Sequence, residues 1–145
     1  MAETEQNQLR VRLVTPEQVF IDGTVDAVEL PTCSGYMEAL YGHAPLLAEL
    51  GPGEVRLHGG SVGEQCYFVA TGFVEVLPER VTILAESAVL PSAIDVTAAQ
   101  QELERGHKMW DEAGEESKRY TKANLVIREA EEQIMSAQSA TNQKA

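Results

Sequence analysis

From Leu9 onward, apolar and polar residues alternate over short stretches. Leu9-Arg10-Val11-Arg12-Leu13 puts Leu, Val and Leu on one face and both arginines on the other, the period of a half-buried strand. Comparable stretches run from Val25 to Leu30, Gly53 to Leu57, Tyr67 to Ala70, Phe73 to Leu77 and Val81 to Ala85. Turn-forming residues separate them: Pro16, Asp22-Gly23, Gly51-Pro52-Gly53, Gly59-Gly60 and Gly72. Strands this short and frequent suggest a sandwich or barrel, and the fold class expected is an all-β sandwich of about ten short strands. The clearest hairpin sets Phe73–Leu77 against Val81–Ala85, with Pro78-Glu79-Arg80 as the turn.

Near residue 91 the period changes. Pro91-Ser92-Ala93 closes the strand pattern, and Asp95 stands where a side chain accepts backbone N–H groups as a helix cap. Ala99, Leu103, Gly106 and Trp110 then share one face of a first helix of about four turns. Gly114 interrupts, and Tyr120, Ala123, Ile127, Ala130, Ile134 and Ala137 follow at the seam spacing of paired helices. The expected organisation is a sandwich over 1–90 and a C-terminal antiparallel α-helical hairpin over 91–145, with a disordered tail after Thr141. Ala and Gly dominate the seam, so the helices bury little area and are expected to lean on a partner surface.

Hydrophobic residues make up 43% of the 145 and charged ones 23%, a globular balance. A net charge of −12 repels phosphate backbones and anionic lipid headgroups, which argues against a nucleic-acid partner. The positive charges of the hairpin, Lys108, Lys118, Arg119, Lys122 and Arg128, are ordinarily solvated, but they also suit docking on an acidic surface. No apolar run approaches the roughly 20 residues that span a bilayer, so direct membrane insertion is not expected. Met1 to Gln8 is polar, without the basic start or apolar stretch of a secretion signal, and is read as the frayed leader of a cytosolic chain. Cys33 and Cys66 are too few for a disulfide framework and are read as free thiols.

Candidate chemistry is sparse. His43, in Gly42-His43-Ala44-Pro45, sits in a constrained turn, and His58 and His107 stand alone in other regions. A hydrolase built on His43 lacks a nucleophile and an orienting partner. The histidines and cysteines form no close ligand pair of the kind zinc sites use. No phosphate-binding glycine loop occurs, and Gly51-Pro52-Gly53 reads as a turn. Neither a catalytic residue nor a metal or cofactor is expected.

Several segments in order carry a resemblance: Val14-Thr15-Pro16-Glu17, Asp22 to Val28, Gly42-His43-Ala44-Pro45-Leu46-Leu47, Pro52-Gly53-Glu54-Val55, and Gly72 to Val76 through Arg80 to Glu86. Together they resemble the epsilon subunit of bacterial F-type ATP synthases, over nearly the whole chain from Leu9. The resemblance implies a sandwich packed on the gamma shaft and the membrane rotor ring, and a hairpin that moves between compact and extended states. It implies no active site in this chain, contacts of the hairpin with the catalytic beta and alpha subunits, and a peripheral place at the cytoplasmic face of the bacterial plasma membrane. On this reading the chain couples rotation of a proton-driven ring to the catalytic head, and the hairpin brakes ATP hydrolysis.

Two departures from the family pattern stand out. Where the family has a loop like Gly-Glu-Leu-Gly-Ile-Leu-Pro, this chain reads Gly35-Tyr36-Met37-Glu38-Ala39-Leu40-Tyr41. By resemblance that loop meets the rotor ring, which makes Tyr36, Met37, Glu38, Gly42 and His43 the candidate contacts. Some members bind ATP through a pattern like Ile-Asp-x-x-Arg-Ala, which here is Ile94-Asp95-Val96-Thr97-Ala98-Ala99. Ala98 replaces the arginine and removes a charge-assisted phosphate contact, leaving Asp95 and Arg105 as a weak regulatory ATP site. The rival from another class is a stand-alone cytosolic protein-binding module.

Overall fold

The computed structural model describes residues 7–144, so residues 1–6 of the leader and Ala145 lie outside the described residues. It divides into two compact units, one ending at Val89 and one beginning at Leu90. The first is built of ten strands: β1 Leu9–Val14, β2 Val19–Val25, β3 Ala27–Thr32, β4 Gly35–Leu40, β5 Leu46–Leu50, β6 Gly53–His58, β7 Gln65–Val69, β8 Gly72–Val76, β9 Arg80–Ala85 and β10 Ala88–Val89.

They form one sheet in the order β10-β7-β6-β3-β5-β8-β9-β1-β2, with β4 on β3. The sheet folds over at β3 and β5, which share only the Thr32–Leu50 pairing. Its two halves close on a common core, giving the sandwich. Leu9, Val11 and Leu13 of β1 meet Val28 and Leu30 of β3, Val55 and Leu57 of β6, Val74 and Val76 of β8, and Val81 and Ile83 of β9 in one buried cluster. Aliphatic side chains of this kind each contribute roughly 1.5–3 kcal/mol when fully buried.

The expected β8–β9 hairpin forms, with pairings that run from Gly72–Ala85 to Val76–Val81, one residue off those that equal segments around a three-residue turn would make. Its turn is shorter than expected: Leu77 and Arg80 exchange backbone hydrogen bonds, and Arg80 belongs to β9. Asp22-Gly23 proves not to be a turn and lies inside β2, opposite Arg12 and Val11. Glycine leaves room there for the 61–62 segment: a Cβ on Gly23 would sit 2.8 Å from Ser61 Oγ and 2.9 Å from Val62 Cγ2, so those side chains would have to shift. The segment taken as a loop, Gly35–Tyr41, is strand β4 through Leu40, paired with β3 along its whole length. Met37 and Ala39 alternate inward with Tyr36, Glu38 and Leu40 outward, so the period-two rule applies there as well.

In the second unit a 3-10 turn at Pro91–Ala93 leads into α1, Val96–Asp111, and α2, Ser117–Lys144. Asp95 caps α1 by accepting the Ala98 N–H at 3.0 Å. Gly106 lies against Ile127, and Trp110 against Tyr120, so the helices run antiparallel. Ala99, Gly106, Ala123, Ala130 and Ala137 are the buried seam, and Leu103, Ile127 and Ile134 are half-buried beside it. Gly114 takes the left-handed φ of 62° that reverses the chain. Helix α2 continues to Lys144, past Thr141 where a disordered tail was expected. No Gly or Pro follows Ser117 to stop it.

Candidate interaction surfaces

The outward face of the strands from β8 to β2 carries a row of register-matched apolar side chains. Phe73 pairs with Leu84, Leu84 with Val14 and Val14 with Val19. Phe73, Leu84 and Val19 stand about half exposed, at 55%, 54% and 50%. Exposed apolar groups in single places are ordinary, but a contiguous row across four strands marks a contact surface. Below it, Arg12 opposite Asp22 and Arg10 opposite Thr24 give the row a polar border, with Arg10 Nη2 3.2 Å from Asp22 Oδ1. Alternation turns Phe73 and Leu84 outward, but only the register across four strands shows that they line up with Val14 and Val19.

The expected rotor-ring contacts occupy β4 and the turn after it. Tyr36 Oη accepts the Glu54 N–H at 2.9 Å, and the Arg56 guanidinium lies 5.2 Å from the Tyr36 ring centroid. Glu38 is exposed and opposite Glu29. Met37 points inward and packs on the core, which takes it out of the exposed set. Gly42, at φ 90°, donates its N–H to Pro78 O at 2.7 Å and so ties this turn to the β8–β9 turn. His43 donates from its own N–H to Leu40 O, and its Nδ1 is 2.6 Å from Ala44 O, a local turn role for the ring.

Behind Tyr36 lies a polar row that the sequence reading did not find. Glu54 is buried and bonded to Arg56 Nε at 2.9 Å, and Arg56 Nη1 lies 3.6 Å from Glu29. Cys66, opposite Arg56, is a free thiol; burial first, then the Glu54 carboxylate, pushes it up to about 12. His58, which looked isolated in sequence, stands between Glu29 and Glu64. Only the β3–β6 pairing brings His58 and Glu29 together, so spacing along the chain gives no sign of it.

On the hairpin, Lys108, Lys118, Arg119, Lys122 and Arg128 are all exposed. Arg119 is bonded to Glu116 at 2.9 Å. Arg105 is held by both carboxylate oxygens of Glu102, the shortest contact being 2.8 Å, and this bond keeps the Glu102 carboxyl below its usual range. Asp95 and Arg105 thus each have a local partner, ten positions apart along α1. Among the described residues, no group of three His, Cys, Asp or Glu side chains is arranged to hold a metal ion. No described helix is long and apolar enough to cross a membrane.

Residues 8–91 match the family model for the ATP synthase delta/epsilon chain β-sandwich domain. An ATP synthase epsilon chain of Halalkalibacterium halodurans is 43% identical over 122 residues, covering 84% of this chain and 91% of the relative. That of Alkalihalophilus pseudofirmus is 50% identical over 97 residues, covering 67% and 72%. A chain of the Euglena gracilis mitochondrial ATP synthase shares the fold with a TM-score of 0.73 at 22% identity, over 87% of this chain and 79% of that one. The sandwich is therefore that of the delta/epsilon class. The chain as a whole belongs to the ATP synthase epsilon chain family.

Proposed function

We propose that the chain is a central-stalk subunit of a proton-translocating F-type ATP synthase, and that it transmits force through surface complementarity without covalent chemistry. The observation that carries this reading is the 43% identity to an epsilon chain over 91% of that relative's length. The same match favours the stalk over a stand-alone binding module. The Phe73–Leu84–Val14–Val19 row is the surface we assign to the gamma shaft, because an apolar row on an acidic sandwich needs an apolar partner. Tyr36, Glu38 and the Gly42-His43 turn are assigned to the membrane rotor ring. The subunit is thereby peripheral, held at the cytoplasmic face of the bacterial plasma membrane through its partners.

The domain roles follow. Residues 1–90 bind the rotor, and 91–145 regulate. Lys108, Lys118, Arg119, Lys122 and Arg128 suit docking on an acidic face of the catalytic beta and alpha subunits. Exposed charges are screened beyond about 8 Å at physiological salt, so a brake requires close contact. ATP bound at Asp95 and Arg105 would have to displace Glu102 from the guanidinium. Calorimetry at millimolar ATP decides that point, and absence of heat removes ATP as a regulatory ligand.

Reconstituting the catalytic head and gamma with the full chain, and with residues 91–145 deleted, tests the whole reading. Retention of both forms on gamma with faster hydrolysis for the truncated form is the expected result. Unchanged hydrolysis rules out the brake, and failure to co-purify with gamma rules out the stalk.

A further inference from the structure

The turn of residues 59–64, between β6 and β7, folds back onto β2. Ser61 Oγ accepts the Thr24 N–H at 2.9 Å, Ser61 N–H donates to Thr24 Oγ1 at 3.0 Å, and Val62 N–H donates to Thr24 O at 3.2 Å. Val62 packs on the core above the bare Gly23. The turn's own backbone is permissive: Gly59, Gly60 and Gly63 have φ of 76°, 64° and 76°. Gly63 N–H donates to Gly59 O at 2.9 Å within the turn, and the base of the turn carries one further fastening.

That fastening is His58. Its Nδ1 is 2.6 Å from Glu64 Oε2 and its Nε2 is 2.7 Å from Glu29 Oε2. The other Glu64 oxygen accepts the Gly59 N–H at 3.2 Å. A neutral imidazole has one N–H and one lone pair, and ionised carboxylates only accept. With both carboxylates ionised, the two contacts coexist only when the ring carries both protons. We propose that doubly protonated His58 is a pH-operated latch tying the 59–64 turn to β3, and that loss of one ring proton frees the turn.

The surroundings favour the charged ring. Glu29 faces it from β3 and Glu64 from the turn. Glu38 of β4 lies opposite Glu29, and the Asp26 carboxylate lies beside Gly59. Against them stands Arg56 of β6, which shares Glu29, while Glu54 occupies the other side of that guanidinium and Cys66 of β7 is a neutral thiol. The Glu29 hydrogen bond first, then that of Glu64, raise His58 above its ordinary 6.5 against a smaller effect of burial. A raised folded value means the latch is complete below 6.5 and is lost as pH climbs through the folded value. The proposal concerns the isolated chain and is independent of the assembly it joins.

The test is NMR of the full chain from mildly acidic to mildly alkaline pH, following the His58 ring nitrogens and the exchange protection of the Ser61 and Val62 amides. The expected result is a ring protonated on both nitrogens at the acid end, with amide protection falling on the same midpoint as the His58 titration. Glu64→Gln should lower that midpoint, and His58→Gln should remove the pH step while the β8–β9 amides stay protected. Protection that stays level through the His58 titration, a singly protonated ring at the acid end, or a midpoint indifferent to Glu64→Gln overturns the latch.

Discussion

Gly106 of α1 faces Ile127 of α2 so closely that a Cβ on the glycine would lie 2.7 Å from Ile127 Cγ1 and 3.2 Å from the Ile127 backbone nitrogen. The hairpin's closest approach is thus set by a missing methyl group. Gly106→Ala gains about 1 kcal/mol of helix propensity but overpacks the seam, which costs typically about 1–3 kcal/mol. The expected outcome is a net loss of roughly 1 kcal/mol in urea unfolding followed by Trp110 fluorescence. Adding Ile127→Val should recover part of it. A gain in stability from Gly106→Ala alone would show that the helices do not need this approach.

At the other end of the seam, the Trp110 and Tyr120 rings meet edge to face at 4.6 Å, and Tyr120 Oη donates to Gly114 O at 2.7 Å. Tyr120→Phe keeps the ring contact and loses the hydrogen bond, for about 0.5–1.5 kcal/mol. Tyr120→Ala loses both and should cost more, because aromatic pairs add about 0.5–1.5 kcal/mol beyond their burial. Trp110 is the single tryptophan, so its emission reports this corner directly. Equal effects from the two substitutions would assign the stabilisation to the hydrogen bond alone.

The two thiols should separate cleanly in alkylation. Cys33 is exposed, and Cys66 is held protonated by burial and by Glu54 with a pKa of about 12. The thiolate is the nucleophile, so at neutral pH a maleimide should label Cys33 and leave Cys66 untouched until the chain unfolds. Cys33→Ser should abolish the labelling of the folded protein. Rapid labelling that survives Cys33→Ser would contradict the raised pKa of the half-buried Cys66.

Phe73→Thr with Leu84→Thr removes the apolar centre of the row from an exposed face and keeps residues that suit paired strands. Surface changes of this kind alter stability little, by about 1 kcal/mol or less, so the melting curve should hardly move. Recovery with gamma should fall sharply. Full recovery with gamma would send the assignment of that face to another partner.

Where structure follows from neighbouring residues, the sequence was readable. β1, β8 and β9 announce themselves by clean alternation, and the hairpin seam by Ala123, Ala130 and Ala137 recurring on one face. Asp95 was recognisable as a cap because its partner, Ala98, is three residues away. Gly23 misled because the reason for it is Ser61, which arrives from a distant turn, and not a bend of its own strand. Leu46 and Leu47 hid β5 because both are exposed, so hydrophobicity did not mark the buried side. The His58 bracket was invisible for the same reason as the apolar row: cross-strand register, set by the entire sheet, decides which side chains meet.

Strand β1 lies between β2, its hairpin neighbour, and β9, with which it pairs in parallel from Arg10–Arg80 to Val14–Leu84. Strand β1 therefore waits for a neighbour seventy positions downstream before its second edge is satisfied. Until then the nascent chain presents an open row of backbone donors and acceptors, flanked by Leu9, Val11 and Leu13. Pairings this distant slow folding, and unpaired edges invite association between chains. During synthesis, the sandwich half of the molecule is consequently the part most in need of shelter.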